Sequence, residues 1–326
     1  MTTMRAAVLD APGGPDAFTV RDVPLPASRE GWVRIRVRAF GLNRSELMTR
    51  RGLSGDAVTF PRILGIEAVG EVDDDPSGSF SPGQQVMTLM GEMGRQYDGG
   101  YAEYTSVPIG QVIPFRSELP WDVLGAVPEM LQTAYGSISV GTDTQAGHTL
   151  LIRGGTSSVG MTAAVLAHRV GATVISTTRS PHKVATLKEL GVAHVVIDDG
   201  QIASKVRGIA PAGVDGAIEL VGATTLPDTL RAVRPQGVVC FTGMLSEQWS
   251  IPDFYPIDVI PQGVRLTAYS GEAHNLPRGV LQEFLDDVAA GHARIPIDTV
   301  YQLDEIHTAH QRMDSGDATG KLVVLT

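Results

Sequence analysis

Residues 152–162 read IRGGTSSVGMT, an apolar run that ends in two glycines, two serines and a third glycine. A turn of this composition that opens a helix can hold phosphate oxygens on backbone N–H groups. From Gly155 the spacing is Gly-x-x-x-x-Gly-Met-Thr, one residue away from a nucleoside-triphosphate loop. That residue is Met161, where such a loop needs a lysine for the terminal phosphates, and Thr162 carries no charge to replace it. Nor is a later strand expected to offer a magnesium-binding Asp, because Asp215 reads as preceding its strand. A dinucleotide turn needs less. Gly154 and Gly155 make the turn, Gly160 lets the helix pack close, and Ser157, Ser158 and Val159 stand at the pyrophosphate. Ser157 replaces the middle glycine of the stricter motif, and the hydroxyls of Ser157 and Ser158 are expected to donate to phosphate oxygens.

The end of the following strand reads ISTTRSPHK, with no Asp or Glu to bind a ribose 2′-hydroxyl. Thr177, Thr178, Arg179 and Lys183 suit a 2′-phosphate instead, through hydroxyls and cationic donors. The expected cofactor is NADPH.

These residues need a scaffold, and the chain supplies one. From Trp121 onward, strand-like and helix-like segments alternate: HTLLIRG, SVGMTAAVLAHRV, ATVISTT, SPHKVATLKEL, AHVVID, DGAIELVG, TLPDTLRAV, GVVCFTG and VRLTAY. Strands separated by helices of this length imply βαβ units and a doubly wound parallel sheet of the Rossmann type. Residues 1–121 are instead β-rich, with runs such as MRAAVL, WVRIRVRAF, AVGEVD, QQVMTLM and YAEYTSVP between turn signals. The last fifty or so residues are too few for a core of their own and are expected to complete the first domain. The expected division is a β-rich domain from 1–121 and 273–326, and a dinucleotide-binding domain from 122–272.

Bulk properties bound the partners. A formal net charge of -10 argues against a nucleic-acid surface. Arg34, Arg36 and Arg38 alternate along one strand and read as a solvated face. The single cysteine, Cys240, permits neither an internal disulfide nor a cysteine-based zinc site, and its apolar run GVVCFTG reads as core. The N-terminus lacks an apolar signal core and no stretch approaches a membrane span, so a cytoplasmic protein is expected. The eight His residues show no metal spacing, and His307 and His310 read as surface residues on a helix.

The stretches GLNRSELMTRRG, PRILGIEAVGEV, GGYAEYTSVP, QTAYGSI, RGGTSSVG, TTRSPHKVATLKELGVAHVVID and GKLVVL together resemble the medium-chain dehydrogenase/reductase superfamily over essentially the whole chain. Within it, the chain looks like the zinc-free quinone oxidoreductase branch. The resemblance implies a β-rich, GroES-like catalytic domain built from both chain ends around a Rossmann domain. Zinc-dependent relatives carry Cys where this chain has Asn43 and His where it has Ile66, and their third ligand position falls on Glu129. No metal is therefore expected.

Without a metal to polarise a carbonyl, hydride delivery suits an acceptor that is already electron-poor, such as a quinone or an α,β-unsaturated carbonyl. The resemblance places Asn43 near the nicotinamide ribose and reacting centre as a hydrogen-bond donor. Its local alternative is the N-cap of the RSELMTRR helix. By the same resemblance Thr133 and Lys321 reach the nicotinamide end of the cofactor, and Gly222, Gly243 and Met244 line the sheet edge beside it. Tyr97 is a candidate proton donor or pocket wall, and Glu67 matches a buried scaffold carboxylate. Two other readings stay open. One is an enoyl-thioester reductase, for which Arg50–Arg51 could meet a pantetheine phosphate; the other is a non-catalytic NADPH-binding redox sensor. The strand VRLTAYSG would be an open sheet edge, so a homodimer is expected, as in relatives.

Overall fold

The structure is a computed structural model that describes residues 2–248 and 250–326. The chain divides into two compact units, Met1–Gln132 with Glu272–Thr326, and Thr133–Gly271.

The chain enters the first unit through β1 (Thr3–Leu9), β2 (Phe18–Pro24) and β3 (Trp32–Gly41), followed by α1 (Arg44–Arg50). Then come β4 (Arg62–Ile63), β5 (Glu67–Asp74), β6 (Gln85–Leu89), β7 (Tyr104–Pro108), β8 (Val112–Pro114), α2 (Trp121–Leu124) and α3 (Pro128–Gly136). The period-2 pattern is clearest in β3, where Val33, Ile35 and Val37 are buried in the core. The arginines between them face away, and two meet acids of β5 and its end: Arg34 reaches Asp73 at 2.6 Å and Arg38 reaches Glu71 at 2.6 Å. The strand face expected to be solvated is thus a ladder of cross-strand ion pairs. The unit boundary falls at residue 133 rather than 122 because α2 packs on strands of the first unit, β3 and β5 among them.

The second unit holds β9 (Thr149–Arg153), α4 (Ser158–Val170), β10 (Thr173–Thr178), α5 (Val184–Glu189), β11 (His194–Ile197) and α6 (Ala203–Ile209). It continues with β12 (Val214–Glu219), α7 (Leu226–Ala232), β13 (Val233–Phe241), α8 (Pro256–Val259) and β14 (Arg265–Ala268). The six strands are parallel, in the order β11-β10-β9-β12-β13-β14. The order reverses between β9 and β12, and in such sheets the crevice at the carboxyl ends of those strands takes the ligand.

The chain then returns to the first unit as α9 (Arg278–Ala289), β15 (Ile297–Gln302), α10 (Ile306–Ser315) and β16 (Lys321–Leu325). The larger sheet there runs β15-β16-β3-β5-β6-β8, with β7 also on β3, and a smaller one runs β2-β1-β4. The antiparallel register sets Val323 of β16 opposite Gly41 of β3. Just beyond it, the Leu42 N–H donates to the Leu322 carbonyl at 2.9 Å. That pairing brings Lys321 beside Asn43 across nearly the whole length of the chain.

Candidate active site

In the second unit the glycine loop follows β9 and opens α4, with Gly154 at φ 86°. A side chain on Gly160 would press against the Gly154 carbonyl at 2.6 Å and Gly155 Cα at 2.9 Å, so only glycine lets the helix approach here. Ser157 caps α4: its Oγ accepts from Gly160 N at 3.1 Å and donates to the Gly154 carbonyl at 2.8 Å. That corrects the role expected of its hydroxyl, which is committed to the turn. The N–H groups of Ser158 and Val159 have no partner among the described residues, which leaves the start of a 13-residue helix open to an anion.

Thr177 and Thr178 also differ from expectation. Both are buried; Thr177 Oγ1 accepts from Gly154 N at 3.1 Å, while Thr178 Oγ1 accepts from Ser180 N at 3.1 Å and donates to its carbonyl at 3.3 Å. Thr177 braces the glycine loop, while Thr178 braces the turn after β10. Arg179 is exposed and Lys183 half-buried. The end of β10 carries no acid, but one is brought to it from the end of β11. Asp198 lies 3.4 Å from Thr177 Oγ1, but its two oxygens each accept from the Arg153 guanidinium at 2.9 Å.

Arg153, fully buried at the end of β9, also donates to Asp228 at 3.0 Å, Thr229 Oγ1 at 3.1 Å and the Thr225 carbonyl at 3.1 Å. Burial raises the Asp198 carboxyl, but its bonds with Arg153 and Gly200 N outweigh this and leave it below the ordinary value. Beside it, buried Glu219 accepts from the N–H groups of Val221 and Gly222 at 2.7 and 2.9 Å. Gly222 and Gly243 pack against the same turn: a side chain on Gly243 would meet Leu220 backbone within 2.5 Å, and one on Gly222 would lie 3.4 Å from Met244 Cα. Gly154, Gly222, Gly243 and Met244 are therefore brought together around Leu220 and Val221. Thr133, half-buried on α3, accepts on its carbonyl from Ser137 Oγ at 2.7 Å.

In the first unit a buried polar group surrounds Asn43. Asn43 takes the N-cap of α1, and Glu46, three residues on, accepts from its N–H at 2.5 Å. The Asn43 amide turns to other partners: Nδ2 donates to Glu67 Oε1 at 2.9 Å and to Glu46 Oε1 at 3.4 Å, and Oδ1 accepts from Lys321 Nζ at 2.5 Å. Lys321 Nζ also contacts Glu67 Oε1 at 2.6 Å and Glu129 Oε2 at 3.4 Å, which occupies all three of its protons. Lys321 is 1% exposed. This corrects two expectations. Lys321 has no donor left for a cofactor, and Asn43 can meet a ligand only as an acceptor, through the second lone pair of Oδ1.

Burial acts to lower Lys321, but Glu67 and Glu129 outweigh it and hold the ammonium above the ordinary lysine value. Burial acts on Glu67 in the opposite sense and raises it. Every group that reaches the Glu67 oxygens is a donor, including the Glu129 N–H at 2.7 Å, and that is the setting of a carboxylate.

Glu46 is pushed up to about 7, first by burial, with the N–H groups of Ile66 and Asn43 opposing. Its Oε2 accepts from the Tyr101 hydroxyl at 3.1 Å, and that hydroxyl lies 3.2 Å from His310 Nε2. His310 is fully buried, which corrects the surface reading; burial, with Arg50 nearby, pushes it down to about 3. The signal for it was available, since His310 shares one helix face with buried Ile306 and Met313. Tyr97 is not part of this group. Its hydroxyl lies 2.7 Å from the Gly91 carbonyl and 2.5 Å from Gln111 Oε1, both acceptors for its one proton, and its ring meets Trp32 edge-on. A proton-donor role for Tyr97 is not what this geometry provides. Arg50 and Arg51 both bond Asp314, at 2.7 and 2.9 Å, so neither is the free phosphate contact considered above.

A parallel sheet with a glycine turn opening onto a free helix start, together with a second, β-rich unit assembled from both chain ends, is the architecture of a dehydrogenase or reductase. The chain belongs to the medium-chain dehydrogenase/reductase superfamily: residues 29–117 match the alcohol dehydrogenase GroES-like domain and residues 190–324 the zinc-binding dehydrogenase family. It is 28% identical over 338 residues to a 2-haloacrylate reductase of Burkholderia sp, covering 98% of each chain. It is 25% identical over 336 residues to the quinone oxidoreductase of Lama guanicoe, covering 99% of this chain and 97% of that one. The crystal structure of AibC superposes with a TM-score of 0.88 at 30% identity, over 99% of this chain and 96% of the other. The protein is thus an oxidoreductase of that superfamily.

The zinc in the family's name does not fit the residues present. Ile66 offers no donor atom, and the Asn43 and Glu129 oxygens already face the Lys321 ammonium. Among the described residues no cluster of three His, Cys, Asp or Glu is arranged to hold a metal.

Proposed function

We propose that this chain is an NADPH-dependent reductase of quinones and α,β-unsaturated carbonyls that works without zinc. The observation that carries this reading is the carboxyl end of the parallel sheet. Two unclaimed N–H groups at the start of α4 stand ready for a pyrophosphate. Arg179 is exposed just past β10, and Asp198, which lies 3.4 Å from Thr177 Oγ1, is turned inward onto Arg153. An outward carboxylate would repel a 2′-phosphate, whereas Arg179 attracts it.

When bound, the cofactor supplies hydride. The chain's part is to fix it: the Ser158 and Val159 N–H groups hold the pyrophosphate, and Thr177 and Ser157 keep the turn in shape beneath it. In the first unit the Asn43 amide, locked by Glu67 and Lys321, offers a preoriented acceptor. With no Lewis acid in that donor set, the reading favours acceptors whose own conjugation polarises the reacting carbon. The haloacrylate acted on by the Burkholderia relative, as its name has it, is of that conjugated kind.

The test is NADPH oxidation against a panel of 1,4-benzoquinones and simple enones, with NADH in parallel. Turnover with NADPH is expected, and Arg179→Ala should raise KM for NADPH by about tenfold while leaving NADH unchanged. Equal use of both dinucleotides, or activity on enoyl thioesters alone, would overturn the reading; tight NADPH binding with no oxidation anywhere would make the protein a sensor. We also propose a cytoplasmic homodimer. In the second unit β14 is a sheet edge, and Phe254, Tyr255 and Ile257 are exposed between β13 and β14. Sedimentation as a monomer would remove the dimer.

A further inference from the structure

Lys321 is the first residue of β16, and its ammonium lies among three oxygens from three other elements. Asn43 Oδ1 comes from the cap of α1 at 2.5 Å, Glu67 Oε1 from the start of β5 at 2.6 Å, and Glu129 Oε2 from the first turn of α3 at 3.4 Å. The set is one amide oxygen and two carboxylates, all acceptors, closing on a single cation that water hardly reaches. That is the donor chemistry of a small cage for a hard cation. A buried carboxylate, Glu67, with the half-buried Glu129 this close to it calls for a positive charge between them, because a buried carboxylate left unpaired is costly.

We propose that the Lys321 ammonium is a built-in cation that fills an oxygen cage of Asn43, Glu67 and Glu129, and so closes this chain to a divalent metal at that place. The lysine does the work of charge compensation that an ion would otherwise do, and it cannot leave. It ties the last strand of the chain to α1, β5 and α3 through one atom. Neither Glu67 nor Asn43 is then available to an incoming ion unless Lys321 is removed. The inference does not depend on which acceptor is reduced, since it concerns cation binding alone.

The experiment uses the full chain and Mn²⁺, followed by the loss of the free-ion electron paramagnetic resonance signal. The wild type should bind no Mn²⁺ that Glu129→Gln abolishes. Lys321→Ala should take up roughly one equivalent, at least about tenfold more tightly than any wild-type binding, and Glu129→Gln in that background should release it. Its melting temperature should also rise with added Mn²⁺, while that of the wild type should not. Wild-type uptake that depends on Glu129, or a folded Lys321→Ala variant that takes up none, would overturn the proposal.

Should Lys321→Ala not fold without metal, Mn²⁺ should restore its folding. The double variant Lys321→Met/Glu67→Gln, with the charge removed on both sides, should fold without metal and stay blind to Mn²⁺. A double variant as unstable as the single one would show that charge compensation is not what Lys321 provides, and would equally overturn it.

Discussion

Each unit of this protein gathers several partners around a fully buried cation, Lys321 in the first and Arg153 in the second, and the two do it differently. In the second unit Arg153 spreads a planar fork over Asp198, Asp228, Thr229 and the Thr225 carbonyl, partners contributed by neighbouring strands and helices of one sheet. The fork points inward, under the glycine loop, and the backbone above it keeps its own N–H groups free. In the first unit the compact ammonium of Lys321 gathers partners from residues 43, 67 and 129, far apart in the sequence, and consumes its donors in doing so. One arrangement supports an open backbone site for an anion; the other is a closed side-chain site with a lone acceptor left over. A guanidinium suits the first because its bidentate geometry fixes direction, and an ammonium suits the second because it fits the centre of a cage.

The comparison can be broken most directly at its larger knot. Arg153→Met leaves Asp198 and Asp228 buried without their partner, and it should destabilise the chain by about 3–5 kcal/mol, read by denaturant unfolding. It should also loosen the turn through Thr177, so NADPH affinity should fall with it. A variant of wild-type stability would show that the knot is not a structural centre.

A second, intermediate effect appears with pH and lies within the first unit. His310 in the first unit is held down at about 3 from an ordinary value near 6.5, so the native state prefers it neutral. Its contribution is complete above 6.5 and is lost as pH falls from there toward 3. Glu46 runs the other way: raised to about 7, it favours the native state when protonated, so its contribution is present below 4.5 and lost as pH rises through 7. His310→Gln should therefore flatten the acid limb of melting temperature against pH between 6.5 and 4, with the alkaline limb kept. An unchanged acid limb would refute the role given to His310.

The smallest effect sharpens the view of the glycine loop. Ser157→Ala removes the cap of α4 and should cost about 1 kcal/mol of stability. Because the hydroxyl serves the turn rather than the phosphate, NADPH affinity should change by no more than that cost implies. A loss of a hundredfold in affinity with unchanged stability would return Ser157 to the phosphate.

Much of this arrangement is legible in the residues themselves. The alternation of strands and helices after Trp121 specifies a parallel sheet, because each parallel pair requires a crossover. The glycines of the loop mark its shape, because only they tolerate the φ of Gly154 and the approach at Gly160. What local pattern misreads are the hydroxyls of Ser157, Thr177 and Thr178. A hydroxyl near a phosphate loop looks like a ligand, and its competing backbone partners become visible only when β9 and β10 lie side by side.

The sequence alone therefore determined the class of fold, the place of the glycine turn that opens α4 and the absence of an acid directly after β10. Those follow from short-range rules of backbone conformation and periodicity. Tertiary structure decided the charges. Asp198 reaches Thr177 from the next strand, His310 becomes a core residue, and Lys321 meets Asn43, Glu67 and Glu129 from the far end of the chain. Electrostatic partners are chosen by distance in space and by burial, and neither is written in the spacing of residues along one strand or helix.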